Sequence, residues 1–235
     1  GLILFGIFYS KKLKKDIENK DNTTKVIENN TTKIIGGGNT TKMSGGNTTK
    51  IIGGGITKTS SDNESINMIK TKIEKTLNTI PKSGNEIFPW YSENNRWKFD
   101  ESSKWISGFF PAQVLFMNIH EPNSTWSKDK LNQVVQTFFP KLEDQKTNGT
   151  SHDIGFKIFL PYVLAYKITN DNNYKNIIET AAKTLSSRYN DKVGMIKSWD
   201  NSRYGDEFVV ITDNLMNLEL LLWAGKNLNN PLYTK

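Results

Sequence analysis

Two absences limit the chemistry open to this chain. Its 235 residues contain no cysteine, which excludes disulfides and thiolate metal sites. Only His120 and His152 supply imidazoles, too few for a multi-histidine metal centre, so no metal or cofactor is expected. Carboxylates are left as the catalytic groups of any enzyme. A long apolar run is missing from the amino end as well: Leu2–Tyr9 is too short to cross a bilayer. Tryptophan is absent before Trp90, and Phe5 and Phe8 are the only phenylalanines before Phe88, so core material begins late. The folded part also has little net charge. Residues 1–60 carry ten lysines against four acidic residues, whereas 61–235 carry 21 basic against 20 acidic. The overall +7 belongs to the amino-terminal tail, and a nucleic-acid-binding surface, which needs basic residues clustered on a fold, is not indicated.

Three regions follow from these imbalances. In residues 1–15 the apolar run precedes Lys11, Lys12, Lys14 and Lys15, whereas a signal peptide places its basic residues first. This reads as part of a targeting or anchor segment, and any membrane association would run through it alone. Residues 16–62 read as a disordered linker. Asn-Thr-Thr-Lys starts at Asn22, Asn30, Asn39 and Asn47 with glycine runs between copies, and such composition cannot bury enough apolar area to offset ordering entropy. Each copy is a candidate N-glycan acceptor, as are Asn63, Asn123 and Asn148. Their density favours a secreted or extracellular, or signal-anchored, protein.

Residues 63–235 carry the helical pattern. Ile66, Ile69, Ile73 and Leu77 recur at helical spacing until Pro81. Segment 82–104 reads as irregular. A second helix starts with Trp105-Ile-Ser-Gly-Phe-Phe-Pro, a third runs from about Ser127 to Pro140, and a fourth covers Ile154–Thr169. A fifth covers Tyr174–Tyr189; short extended pieces at Val193–Trp199 and Glu207–Thr212 lead into a sixth. Helices that are apolar all round alternate with one-sided ones, which predicts an all-α fold of two concentric layers.

The working centre is placed at Val209–Ala224. Asp213 sits where the sixth helix begins, and Leu215 to Ala224 has almost no polar face, so the helix is expected to be buried. It presents Asp213 at the end of an apolar wall, where a carboxyl group's pKa is raised as a general acid requires. The alternative is that Asp213 only caps the helix.

Four pieces in series resemble the unsaturated glucuronyl hydrolases, glycoside hydrolase family 88. They are Trp105-Ile-Ser-Gly-Phe-Phe-Pro, His152-Asp153-Ile-Gly-Phe, Gly194-Met-Ile-Lys-Ser-Trp199 and Ile211-Thr-Asp213-Asn-Leu-Met-Asn-Leu218. The likeness runs from about Ser65 to Tyr233 and implies an (α/α)6 toroid of helical hairpins. Six helices amount to about the first half of such a ring, so a fragment of a longer hydrolase is expected. The resemblance implies removal of a 4,5-unsaturated uronic acid from the non-reducing end of lyase-generated oligosaccharides, by hydration of the C4=C5 double bond. It casts Asp213 as general acid and base and Asp153 as a second essential aspartate. Trp105, Phe109 and Trp199 would be stacking walls for the sugar, and His152 would hold substrate or orient Asp153. Rival readings are a non-catalytic carbohydrate-binding fragment and a related unsaturated rhamnogalacturonyl hydrolase; Asp153 as a helix cap, His152 as a surface or capping residue and the aromatics as plain core also stay open.

Overall fold

The first helix, α1 (Ser60–Leu77), buries Ile66, Ile73, Thr76 and Leu77. Ile69 and Met68 stay exposed, so the stripe is narrower than the periodicity predicts. The computed structural model describes residues 60–200 and 208–234, with side chains from Asn63 onward. The anchor segment 1–15, nearly all of the linker 16–62 and the four Asn-Thr-Thr-Lys copies lie outside the described residues.

Segment 82–104 departs from expectation. It forms an antiparallel hairpin of β1 (Phe88–Glu93) and β2 (Arg96–Asp100). Asn94 and Asn95 close it at φ 50° and 59°, a left-handed pair that asparagine tolerates better than most residues. Pro89 hides the strand in the sequence because a proline usually argues against strand pairing; here it sits beside a register shift that absorbs it. Phe88 pins the hairpin to the core, fully buried with its ring 5.6 Å from Phe138.

The helices then pair in sequence. Helix α2 (Phe109–His120) packs on α3 (Thr125–Thr137), whose first turn is capped by Ser124 Oγ accepting the Ser127 N–H. That run, expected to reach Pro140, ends at Thr137; Pro140 lies in the first turn of the short α4 (Phe139–Leu142), followed by a 3-10 turn over Glu143–Thr147. Helix α5 (Leu160–Thr169) packs on α2 and on α6 (Asn172–Ser186), which Asp171 caps through the Asn173 N–H. Helices α2 and α5 are buried on most sides. By contrast α6 buries the single stripe Ile178, Ala181, Ala182 and Leu185, and α3 buries little beyond Val134. This is the layering the hydrophobic pattern predicts, each fully buried aliphatic or aromatic side chain contributing roughly 1.5–3 kcal/mol of transfer free energy.

Helix α5 does not start as an ordinary helix. Gly155–Phe159 forms a π-helical turn in which the Leu160 N–H reaches back five residues to the Gly155 carbonyl. Pro161 supplies the reason. It has no N–H for the Lys157 carbonyl four residues earlier, and its ring would clash with that carbonyl in a regular α-helix. Widening the turn relieves both problems, next to Asp153.

Two extended pairs, β3 (Tyr189–Asn190) with β4 (Met195–Ile196) and a bridge from Ser151 to Trp199, occupy the stretch expected to be extended at Val193–Trp199. Val209 and Ile211 form no regular strand and instead bond singly to Ser198. The sixth helix also differs. It breaks at Leu218 into α7 (Asn214–Asn217) and α8 (Glu219–Asn227), and a 3-10 turn at Pro231–Thr234 follows. Leu220, Leu221, Trp223 and Ala224 are buried, but Leu215 is 70% and Leu222 59% exposed. The expectation that this helix is buried all round is therefore corrected: one side packs, and no described residue covers the other.

Candidate active site

Asp213 immediately precedes α7, yet its carboxylate makes no capping bond to the helix. A capping role does not account for it. Instead its Oδ1 stands 3.4 Å from His152 Nε2, and the same nitrogen is 3.4 Å from Asp153 Oδ1. The structure thus brings His152, Asp153 and Asp213 together from two distant parts of the chain. His152 is fully buried, the Asp153 side chain is 14% exposed, and that of Asp213 is 40% exposed. The open side of the cluster is therefore the Asp213 side.

The imidazole is held from behind. Its backbone N–H donates to the Ser198 carbonyl at 2.9 Å, and Nδ1 lies 3.2 Å from Ser198 Oγ. Ser198 Oγ already accepts the Ile211 N–H at 3.0 Å, so its own hydroxyl proton is available for Nδ1. That arrangement puts the imidazole proton on Nε2, facing both aspartates. Asp153 is fixed by the Ser151 hydroxyl, which donates to its Oδ2 at 2.7 Å. Trp199 closes one side, with its ring 6.0 Å from His152 and nearly edge-on.

Two polar atoms in this cluster, His152 Nε2 and Asp213 Oδ1, are buried without a hydrogen bond, although they face each other. Buried polar groups are nearly always satisfied, so such a pair is unusual and marks a place where polar chemistry is incomplete. Burial raises the pKa of Asp213 first, and the like charge of Asp153 adds to the rise. Burial also lowers the pKa of His152, against the pull of the two aspartates. Both shifts favour a protonated Asp213 beside a neutral His152. The three side chains can bring ligand atoms within 4.8 Å of one another, as a metal ion would require. A carboxyl group biased toward its protonated form also suits proton transfer.

The aromatic residues form a second cluster. Trp105 lies edge-on to Phe109 at 5.8 Å and 6.1 Å from Phe156, with Phe109 and Phe156 5.2 Å apart. Trp105 is 45% exposed, whereas Phe109 and Phe156 are buried beneath it. Phe109 is thus a backing for Trp105. Phe156 sits inside the His152–Phe156 motif without having been assigned a role from sequence.

Two glycines and an asparagine join the clusters. A Cβ on Gly108 would fall 2.0 Å from the Phe156 carbonyl oxygen, and one on Gly155 would fall 2.7 Å from Asn217 Cα. Gly108 and Gly155 are therefore required by close backbone approach. Asn217 Oδ1 accepts the Phe156 N–H at 2.9 Å, and its amide nitrogen reaches the Asp213 carbonyl at 3.5 Å. Asn214 donates to the Ile196 carbonyl at 2.6 Å and ties α7 to β4. Sequence reasoning gave no role to Ser198, Asn217 or Arg188. Arg188 is buried, bonds the carbonyls of Gly149 and Lys197, and pairs with Asp200 at 3.1 Å, joining the loops that carry His152 and Trp199. The signal available for Ser198 and Asn217 was their place inside the motifs.

No model of a known protein family matches the chain. Among curated proteins, an unsaturated glucuronyl hydrolase of Formosa agariphila is 42% identical over 134 residues, which cover 56% of this chain and 32% of the relative. Over this stretch the chain is similar to unsaturated glucuronyl hydrolases. An unsaturated chondroitin disaccharide hydrolase of Streptococcus pneumoniae is 26% identical over 65% of the chain and 36% of its own length. The crystal structure of an unsaturated glucuronyl hydrolase specific for heparin superimposes with a TM-score of 0.62 at 29% identity, over 72% of this chain and 43% of that one. The mostly helical architecture matches part of the six-hairpin fold of such enzymes. The chain spans 32% to 42% of the length of the curated relatives it matches.

Proposed function

We propose that Asp213 is the proton carrier of a hydrolase that removes a 4,5-unsaturated uronic acid from the non-reducing end of an oligosaccharide. The observation that carries this is the facing pair Asp213 Oδ1 and His152 Nε2, buried and without hydrogen bonds, at the one open edge of the cluster. The names of the relatives, which concern unsaturated glucuronyl and chondroitin substrates, support the substrate class.

Asp213, protonated, gives its proton to C4 of the vinyl ether. The ring oxygen shares the positive charge that develops at C5, and water adds there while the Asp213 carboxylate takes its proton. One group serves both transfers because the carbons are neighbours. The resulting hemiketal opens and releases the remaining sugar. Neutral His152 hydrogen-bonds to the carboxylate as it forms, Asp153 contacts sugar hydroxyls, and Trp105 and Trp199 face the apolar side of the ring.

The test follows the ultraviolet absorbance of an unsaturated chondroitin disaccharide, which is lost when the double bond is hydrated. Steady loss with the native chain, reduced at least a thousandfold in Asp213→Asn with an unchanged circular dichroism spectrum, is the expected result. An equal rate in both proteins would overturn the assignment. Binding without turnover in the native chain would favour a carbohydrate-binding role.

Secretion is the localisation we propose, on the density of Asn-X-Ser/Thr sites. Asn63 and Asn123 are exposed in the folded part, as glycan acceptors must be. A gel shift on glycosidase treatment of protein from a eukaryotic secretory host tests it.

A further inference from the structure

Large aromatic side chains are seldom left in water in a cluster, and those that are often mark a binding surface. Here Trp90, Tyr91, Trp97 and Trp105 are all exposed and close in sequence. Two are accounted for: Trp97 donates its indole N–H to Thr76 Oγ1 at 3.1 Å, and Trp105 leans on Phe109 and Phe156. Trp90 and Tyr91 are not. They stand 45% and 47% exposed, with rings 5.2 Å apart at 79°. The register of the hairpin shifts between Pro89 and Tyr91, and such an irregularity re-aims side chains away from the regular alternation of a strand. Lys104 links this pair along the chain to Trp105. Its ammonium lies 5.6 Å from the Trp90 ring centroid, and the next residue in the chain is Trp105.

We propose that Trp90 and Tyr91, with Lys104 beside them, form an outer subsite for sugars on the leaving-group side of an acidic oligosaccharide of three or more residues. This rests on the function proposed above and extends it to chain length. The apolar C–H face of a pyranose stacks on an indole ring, and the ammonium meets a carboxylate or sulfate on the same sugar. Lys104, its side chain 44% exposed, has a loose ion pair with the half-buried Asp100 at 3.8 Å, which costs little to exchange. Continuity with Trp105 and the positive charge at its edge fit such an occupant better than an apolar protein segment.

The experiment compares unsaturated chondroitin disaccharide with the tetrasaccharide in the native chain, Trp90→Ala, Trp90→Phe and Lys104→Gln. In Trp90→Ala, kcat/KM for the tetrasaccharide falls about tenfold further than for the disaccharide, through KM, and Trp90→Phe restores most of it. An equal effect on both lengths, with folding intact by circular dichroism, overturns the subsite and leaves the reaction standing. If the native chain turns over neither sugar, tryptophan fluorescence is titrated with the tetrasaccharide. A saturable change that Trp90→Ala abolishes upholds the subsite while the hydrolase reading fails, and no difference between the two proteins overturns the subsite. Weaker binding of the tetrasaccharide to Lys104→Gln is expected, and identical binding removes the charge from the proposal.

Discussion

His152 and Asp213 face each other across 3.4 Å, brought from distant parts of the chain, and neither facing atom has a hydrogen bond. The pair makes the site sensitive to pH in a defined direction. Burial raises the Asp213 pKa, so its protonated form is present below that raised value and is lost as pH rises through it. Turnover should therefore fall on an alkaline limb above the ordinary carboxylate range. Asp153 contributes to the rise, so Asp153→Asn should move the Asp213 titration to lower pH, as followed by carbon NMR of the labelled carboxyl. A titration that stays in place would show that the like charge is not felt.

Gly155 lies against the backbone of Asn217, where a Cβ would sit 2.7 Å from Cα and 2.8 Å from the carbonyl oxygen. No rotation of a side chain relieves a clash with backbone. Gly155→Ala should cost about 1–3 kcal/mol and lower the melting temperature by several degrees in a calorimetric scan. Gly84→Ala is the contrast for crowding: nothing lies near the added methyl, and its cost comes only from the positive φ of 89°.

Asn217 holds the Phe156 N–H in the buried joint between the two halves of the site. Asn217→Leu should lose about 1–3 kcal/mol, because the donor is left unsatisfied. Turnover should fall more than the loss of folded protein explains, since α7 carries Asp213. Denaturant melts and the absorbance assay on the same sample separate the two effects.

Lys157 is buried in the π-helical turn with its ammonium 3.2 Å from Gln145 Oε1, and burial depresses its pKa to about 8 against an unfolded value of 10.5. Between these values the unfolded chain binds more protons, so stability rises with pH across that window. Below pH 8 the folded state carries a desolvated charge. Lys157→Met should stabilise the protein at pH 7 by on the order of 1–3 kcal/mol, with the gain shrinking toward pH 10. Urea titrations at pH 7 and pH 10 check it, and an equal gain at both would show that the charge is well solvated.

The sequence by itself determined the helical class, its alternation of buried and one-sided helices, and the four motifs. These depend on local periodicity, and neighbours along the chain supply most of the information. Asp153, Asp213 and His152 were legible because they lie inside those motifs. Their mutual distances were not. The hairpin at Phe88–Asp100 was hidden because Pro89 weakens the strand signal and only packing of Phe88 against Phe138 makes it worth forming. The break at Leu218 and the exposed faces of Leu215 and Leu222 were equally out of reach, since an all-apolar helix says nothing about which side has a partner. Tertiary structure alone decided that Asp213 does not cap its helix, that Phe156 and Asn217 join the two clusters, and that His152 is buried between two aspartates. Each of these rests on contacts between segments far apart in the chain, which local sequence cannot encode.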